Sequence, residues 1–194
     1  MAPDYEALER LALRQCGFVA TDQASALGLT AGDVNSLLRS GAWISDCPGL
    51  FRLDSVRRTA LDDFAKWCTW FAGRATVSHY SAAELHGLSH LQPRFLHFST
   101  QVPISVPARQ LALHRCVLAE SECEQIGPIR ITTPVRTVLD LAAGGISQEL
   151  LDEVVSDGVA IGRLDARELY LSCENAAIDV AVRVELALVA NRSL

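Results

Sequence analysis

Lysine is nearly missing. Of 17 basic residues only Lys66 is a lysine, so positive charge rests on arginine, whose planar fork suits fixed contacts to phosphates or carboxylates. No two cysteines form a C-x-x-C pair. The six, Cys16, Cys47, Cys68, Cys116, Cys123 and Cys173, stand 7 to 50 residues apart, which argues against a zinc site. Without a signal-peptide-like start they read as reduced thiols rather than a disulfide framework. No run approaches the ~18 uninterrupted apolar residues of a membrane span. The start, MAPDYEALER, is acidic, with no basic region leading into an apolar one. The expectation is a cytoplasmic chain that makes no membrane contact. Positive charge is also short overall, at 17 Arg and Lys against 23 Asp and Glu for a net of −6, and this speaks against a broad nonspecific grip on nucleic acid.

What is present is an ordinary globular composition, 49% apolar and 21% charged over 194 residues, enough for one sizeable core or two small ones. The charge is uneven: residues 1–58 carry 6 basic against 7 acidic groups, residues 59–194 carry 11 against 16. Tyr5, Leu8, Leu11, Ala12 and Cys16 recur at helical spacing until Gly17 stops them, giving a first amphipathic helix. Thr21 is placed to cap a short helix ending at Gly28, and Thr30 with Asp33 resembles a capping box for a third, which Gly41 ends. Val34, Leu37 and Leu38 share one face of that third helix, leaving Ala31, Gly32, Asn35, Ser36 and Arg39 outward. A face so small and polar enters a major groove closely, where Asn pairs with adenine and Arg with guanine. AWISDCPGLFRLD alternates around Pro48-Gly49 and predicts a hairpin from Trp43 to Leu53. Three helices and a hairpin are the order of a winged helix-turn-helix; a helical bundle with a packing flap is the alternative the same pattern allows.

A second domain is expected from residue 59. DSVRRTALDDFAKWCTWFAG predicts a linking helix with Leu61, Phe64, Ala65, Cys68 and Phe71 inward. RFLHFST, ARQLALHRCVL and GPIRITT predict three strands, separated by Pro103, Pro107 and the acidic ESECEQ loop. In TTPVRTVLDLAAGG, Thr133 is an N-cap, Pro134 suits the first helical turn and Gly144 follows the end. SQELLDEVVSDGV and DARELYLSCENAA predict helices, and AIDVAVRVELALVANRSL a helix or a strand. The fold class expected is α+β, with a winged helix over 1–58 and a mixed α/β domain over 59–194.

GFVATDQASALGLTAGDVNSLLRSGAWI with PGLFRL, then VSHYSAAELHGL, then TTPVRTVLDLA together resemble the AbiEi family of antitoxins, which accompany nucleotidyltransferase toxins in bacterial abortive-infection systems. The resemblance implies an N-terminal domain that binds promoter DNA and represses its own operon, and a second domain that acts as antitoxin. It places Ser78, His79, Ser81, Glu84, Thr133, Arg136 and Asp140 in the antitoxin-domain motifs. One departure stands out: where family wings are rich in Arg, this chain has Ile44, Ser45, Asp46 and Cys47. Arg52, Arg57 and Arg58, with Arg39, are left to join Thr30, Ala31, Asn35 and Ser36 at DNA. A site so thinly charged binds tightly only as a repeated or dimeric arrangement, so self-association on DNA is expected.

SHYSAAELHGLSH, residues 78–90, holds three histidines. Ser78 or Ser81 is placed to cap a helix through Leu85 that Gly87 ends, with Ala82, Ala83 and Leu85 inward. His86 and His90 are four apart, but Gly87 interrupts them and no H-E-x-x-H stands here. The expectation is no metal, no cofactor and no catalysis. Arg136 and Asp140, four apart, predict an ion pair along a helix. A plain winged-helix regulator with a sensing or dimerising second domain fits the first sixty residues equally. A nuclease needs a carboxylate-lysine cluster, which a chain whose one lysine is Lys66 lacks after its strands. Neutralisation by direct contact and neutralisation through the toxin's target are both open on these residues.

Overall fold

The computed structural model describes residues 2–103 and 109–191; Pro107 lies outside them. The fold is α+β and divides into two compact units, residues 1–75 with 125–130, and residues 76–124 with 131–194. Among the described residues no helix is long and apolar enough to cross a membrane.

The first unit opens with α1 (Tyr5–Arg14), whose N-cap Asp4 accepts from the Ala7 amide. It continues through β1 (Phe18–Ala20), α2 (Thr21–Ala26), α3 (Ala31–Arg39), β2 (Trp43–Cys47), β3 (Leu50–Leu53) and α4 (Asp62–Phe71). Thr21 is the first residue of α2 rather than its cap; the Gln23 side-chain Oε1 accepts from Ala20 N–H instead. The strands form an antiparallel sheet in the order β1-β3-β2, with a bulge between Ser45 and Cys47. Gly49 supplies the positive φ that the β2–β3 turn requires. Leu8, Ala12, Val19, Val34, Trp43 and Leu53 form one core cluster, and Phe18, Leu50 and Ala65 another.

That second cluster corrects the boundary expected at 58/59. Helix α4 belongs to the first unit because its Ala65 packs on Phe18 and Leu50, its Asp62 pairs with Arg52, its Lys66 pairs with Asp46, and Trp70 Nε1 donates to the Pro48 carbonyl at 3.3 Å. The apolar inner side read from the sequence is there, but it covers the face of the first unit's own sheet.

The second unit holds a five-stranded sheet in the order β6 (Leu111–Arg115), β5 (Leu96–Thr100), β4 (Ala75–Val77), β8 (Ile129–Thr132), β7 (Cys123–Ile126). Its outer residues 125–130 group with the first unit. β5 and β6 run parallel with His97 opposite Ala112 and Ser99 opposite His114. The ESECEQ segment is not the plain loop expected. Glu120–Glu122 is a 3-10 turn and Cys123 onward is β7, an edge position where charged residues are tolerated. Helices α5 (His79–His86), α6 (Pro134–Ala143), α7 (Gln148–Ala160), α8 (Ala166–Ser172) and α9 (Ile178–Asn191) complete the unit. Ile178–Asn191 of the last segment is therefore a helix, and residues 192–194 lie outside the described ones. Leu88, Val138, Leu141, Leu151, Val154 and Val184 lie in the core they share.

Candidate functional site

Two groups of residues carry chemistry, one in each unit. In the first unit α3 is fixed at its start by a reciprocal cap. The Thr30 hydroxyl accepts from Asp33 N–H at 3.2 Å and Asp33 Oδ2 accepts from Thr30 N–H at 2.8 Å. The hydrogen bonds from the Thr30 side chain and backbone hold the Asp33 carboxyl below its usual range. Val34 is buried and Leu37 and Leu38 are half-buried against the core, so Ala31, Gly32, Asn35, Ser36 and Arg39 stand exposed together. Arg57 and Arg58 are exposed after β3.

Arg52 is not at the surface. It is 2% exposed, and its Nη2 donates to Asp62 Oδ2 at 3.1 Å and to the Val56 carbonyl at 2.9 Å. The guanidinium also lies 5.7 Å from the Phe18 ring centre. A phosphate cannot reach it, so the expectation that Arg52 grips DNA is withdrawn. The hairpin tip is likewise occupied within its own unit, through Trp70 to Pro48, Thr21 N–H to the Gly49 carbonyl, and Lys66 to Asp46.

In the second unit the motif residues converge on a buried polar network. Ser78 occupies the N-cap position of α5 but makes no side-chain cap. Its hydroxyl instead accepts from Ser99 Oγ at 2.9 Å and lies 2.9 Å from His79 Nδ1. The first-turn position His79 has φ +53°, a left-handed conformation that costs a side-chain-bearing residue ~1–2 kcal/mol. Its ring stacks on His114 with centroids 3.5 Å apart, and His97 Nδ1 lies 2.9 Å from His114 Nε2. Ser81 is also not a cap; its hydroxyl accepts from His97 N–H at 2.9 Å. Glu84 points outward from the same helix. Burial first, then the neighbouring imidazoles, push His79 down to about 3 and His97 down to about 4, and burial lowers His114. All three rings are neutral near pH 7.

His86 is buried, with both ring nitrogens engaged. One ring nitrogen, Nε2, donates to the Thr132 carbonyl at 2.7 Å while Nδ1 accepts from Arg163 at 2.8 Å. Burial is the main cause that lowers its pKa, against the Thr132 carbonyl and Glu124, which pull it up. Thr133 caps α6 through Arg136 N–H. The Arg136 side chain donates from Nε to Asp140 Oδ1 at 2.8 Å, from Nη1 to Glu122 Oε1 at 2.7 Å and from Nη2 to Cys116 Sγ at 2.9 Å. Burial opposes the guanidinium's charge, but Asp140 and Glu122 outweigh it and hold the proton more tightly than usual. Asp140 is 5% exposed. Burial raises its carboxyl against the pull of Arg136, and its Oδ2 has no hydrogen-bond partner among the described residues. A cavity of about 540 Å³ opens beside this pair, lined among others by Glu122, Thr133, Arg136, Asp140, Asn175 and Val180.

The network does not form a nucleophile–base–acid line. Ser78 Oγ and Asp140 Oδ2, the latter at 3.9 Å, both face the same nitrogen of His79, whereas a proton relay uses the two opposite nitrogens. Ser78 is also fully buried. Among the described residues no group of three or more His, Cys, Asp or Glu is arranged to hold a metal ion. His97, Ser99, His114, Glu122 and Cys116 were not singled out from the sequence. Alternation in RFLHFST puts His97 and Ser99 on one strand face, the signal that could have found two of them.

No protein-family model and no curated protein matches the chain. Among solved structures, the crystal structure of RV2827C protein from Mycobacterium tuberculosis is similar, with a TM-score of 0.63 over 96% of this chain and 76% of that one. The fold is shared. At 12% identity the likeness speaks for architecture alone.

Proposed function

We propose that this chain is a cytoplasmic antitoxin: its first unit is a winged helix-turn-helix that binds promoter DNA and represses the operon, and its second unit neutralises a nucleotidyltransferase toxin. The observation that carries the DNA-binding half is the outward face of α3, where Asn35, Ser36 and Arg39 stand exposed on a helix capped by Thr30. Such a face fits a major groove, with Arg57 and Arg58 available to phosphates. The antitoxin half rests on the three motifs of the sequence. In this reading Ser78, His79, Ser81, Thr133, Arg136 and Asp140 build the second unit, Glu84 stays at its surface, and the protein needs no cofactor and catalyses no reaction.

With Arg52 buried and Arg39 assigned to a base, Arg57 and Arg58 remain for phosphates, so log affinity falls against log salt with a slope of about −2 per protomer. Titration of labelled upstream DNA, followed by anisotropy, measures it. Arg39→Ala costs about 1–3 kcal/mol on the operator if it reads a guanine. Equal binding to scrambled DNA, or indifference to Arg39→Ala, sinks the base-reading claim. Growth rescue on co-expression with a candidate nucleotidyltransferase toxin tests the other half. A stand-alone regulator is the second reading, favoured by the 540 Å³ cavity beside Arg136, which suits a sensing domain. Absence of rescue would favour it.

A further inference from the structure

Helix α9 is apolar on both sides. Val180, Val184, Ala187 and Leu188 are buried in the second unit's core, yet Ile178, Val182, Leu186 and Val189 are 85%, 50%, 54% and 61% exposed. At about 100° per residue these four fall within an arc of about 80°, opposite the buried face, and the exposed Asp179 and Glu185 border that arc on its two sides. A helix that is apolar all round belongs in an interior. A continuous apolar stripe rimmed by charge marks an interaction surface instead.

Charge selects the occupant. Residues 147–191 hold nine carboxylates against three arginines. Two of those arginines are engaged, Arg163 with Glu124 and His86, and Arg183 with the carbonyls of Ala142 and Ile146. The exposed carboxylates that border the stripe, Asp179 and Glu185, repel nucleic acid and anionic lipid. A second copy is disfavoured as well, since stripe laid on stripe antiparallel about a two-fold axis sets Glu185, near the stripe's midpoint, against its own copy. We infer that the Ile178–Val189 stripe docks into an apolar groove, rimmed by lysine or arginine, on a partner protein. This rests on the antitoxin reading, in which the partner is the toxin, because an enzyme that handles polyphosphate substrates presents a basic surface. The stripe's i, i+4, i+8, i+11 spacing is that of a helix laid in a groove.

The test uses the full chain and a purified candidate nucleotidyltransferase toxin, titrated by calorimetry, with growth rescue scored in parallel. Val182→Asp with Leu186→Asp, both at exposed positions, weakens binding by about tenfold or more and abolishes rescue, while promoter binding and melting temperature stay unchanged. Glu185→Lys weakens binding less and flattens its salt dependence. Should the double variant melt early, Val182→Ala with Leu186→Ala carries the same comparison. Rescue by the wild type with toxin affinity unchanged in the variants overturns the docking surface and leaves the antitoxin reading standing. Failure of the wild type to rescue overturns both. A wild-type dimer in light scattering that the double variant converts to monomer also overturns it, because a second copy then covers the stripe.

Discussion

Replacing Arg52 by alanine separates a structural arginine from a DNA-binding one. The substitution removes the ion pair to Asp62 and the hydrogen bonds to the carbonyls of Leu53 and Val56, and leaves Asp62, itself 8% exposed, without its cation. Breaking a buried pair from one side costs about 3–5 kcal/mol. Two features favour the lower end, about 3 kcal/mol. Arg52 Nε has no partner among the described residues, a cost the substitution removes, and Asp62 Oδ1 keeps its bonds from Thr59 N–H and Oγ1 at 2.9 Å each. For a unit of this size, that lowers the melting temperature by at least ~12 °C. All three tryptophans, Trp43, Trp67 and Trp70, lie in the first unit, so tryptophan fluorescence during thermal unfolding reports on that unit alone. Arg52→Leu with Asp62→Leu should recover most of the loss, since replacing both partners is often near neutral. An Arg52→Ala loss under about 1 kcal/mol, together with a salt slope for DNA binding reduced by about one, would refute the reasoning and return Arg52 to the phosphate contacts.

Acid should loosen the second unit first. All five histidines lie in it, and His79 and His97, lowered to about 3 and about 4 by burial and then by neighbouring imidazoles, bind protons more readily when unfolded. Stability is therefore full above the unfolded value of 6.5 and falls as pH drops toward 4, by up to ~1.4 kcal/mol per pH unit for His79 and by less for the half-buried His97, whose charge solvent screens. Circular-dichroism melts between pH 7 and 4 measure it, and His97→Gln should flatten the slope; an unchanged slope would mean that His97 carries no such linkage. Gly158→Ala, in α7, should destabilise by about 1 kcal/mol despite alanine's higher helix propensity. The new methyl would stand 3.0 Å from Leu88 Cδ2 and 3.1 Å from Leu164 Cβ, an atom fixed to its backbone. A rise in the unit's melting temperature would show that Leu164 gives way.

The features legible in the sequence are the ones that residues a few positions apart decide. Thr30 with Asp33, Thr133 before Pro134, and Gly87 after His86 each mark a helix end through a local hydrogen bond or a left-handed φ, and each sits where expected. Three-residue strands such as Phe18–Ala20 and Ala75–Val77 are too short for a period to show, and α9 hides its type because both its faces are apolar. Ser78 and Ser81 look like caps locally, but partners 21 and 16 residues away take their hydroxyls. Arg52 is the instructive error, since a basic residue after a hairpin reads as a phosphate contact only if its strand face is open. Leu50 and Arg52 are two apart, sit opposite Ala20 and Phe18 on β1, and therefore share one face of the sheet. A face that buries Leu50 completely also buries Arg52, and a buried guanidinium needs a carboxylate. LDDF, ten residues on, places Asp62 at the first position of the very helix that covers that face. An arginine in register with a buried leucine, followed by an acid at the start of the next helix, is thus the pattern of a core ion pair, and the same pattern explains why α4 belongs to the first unit.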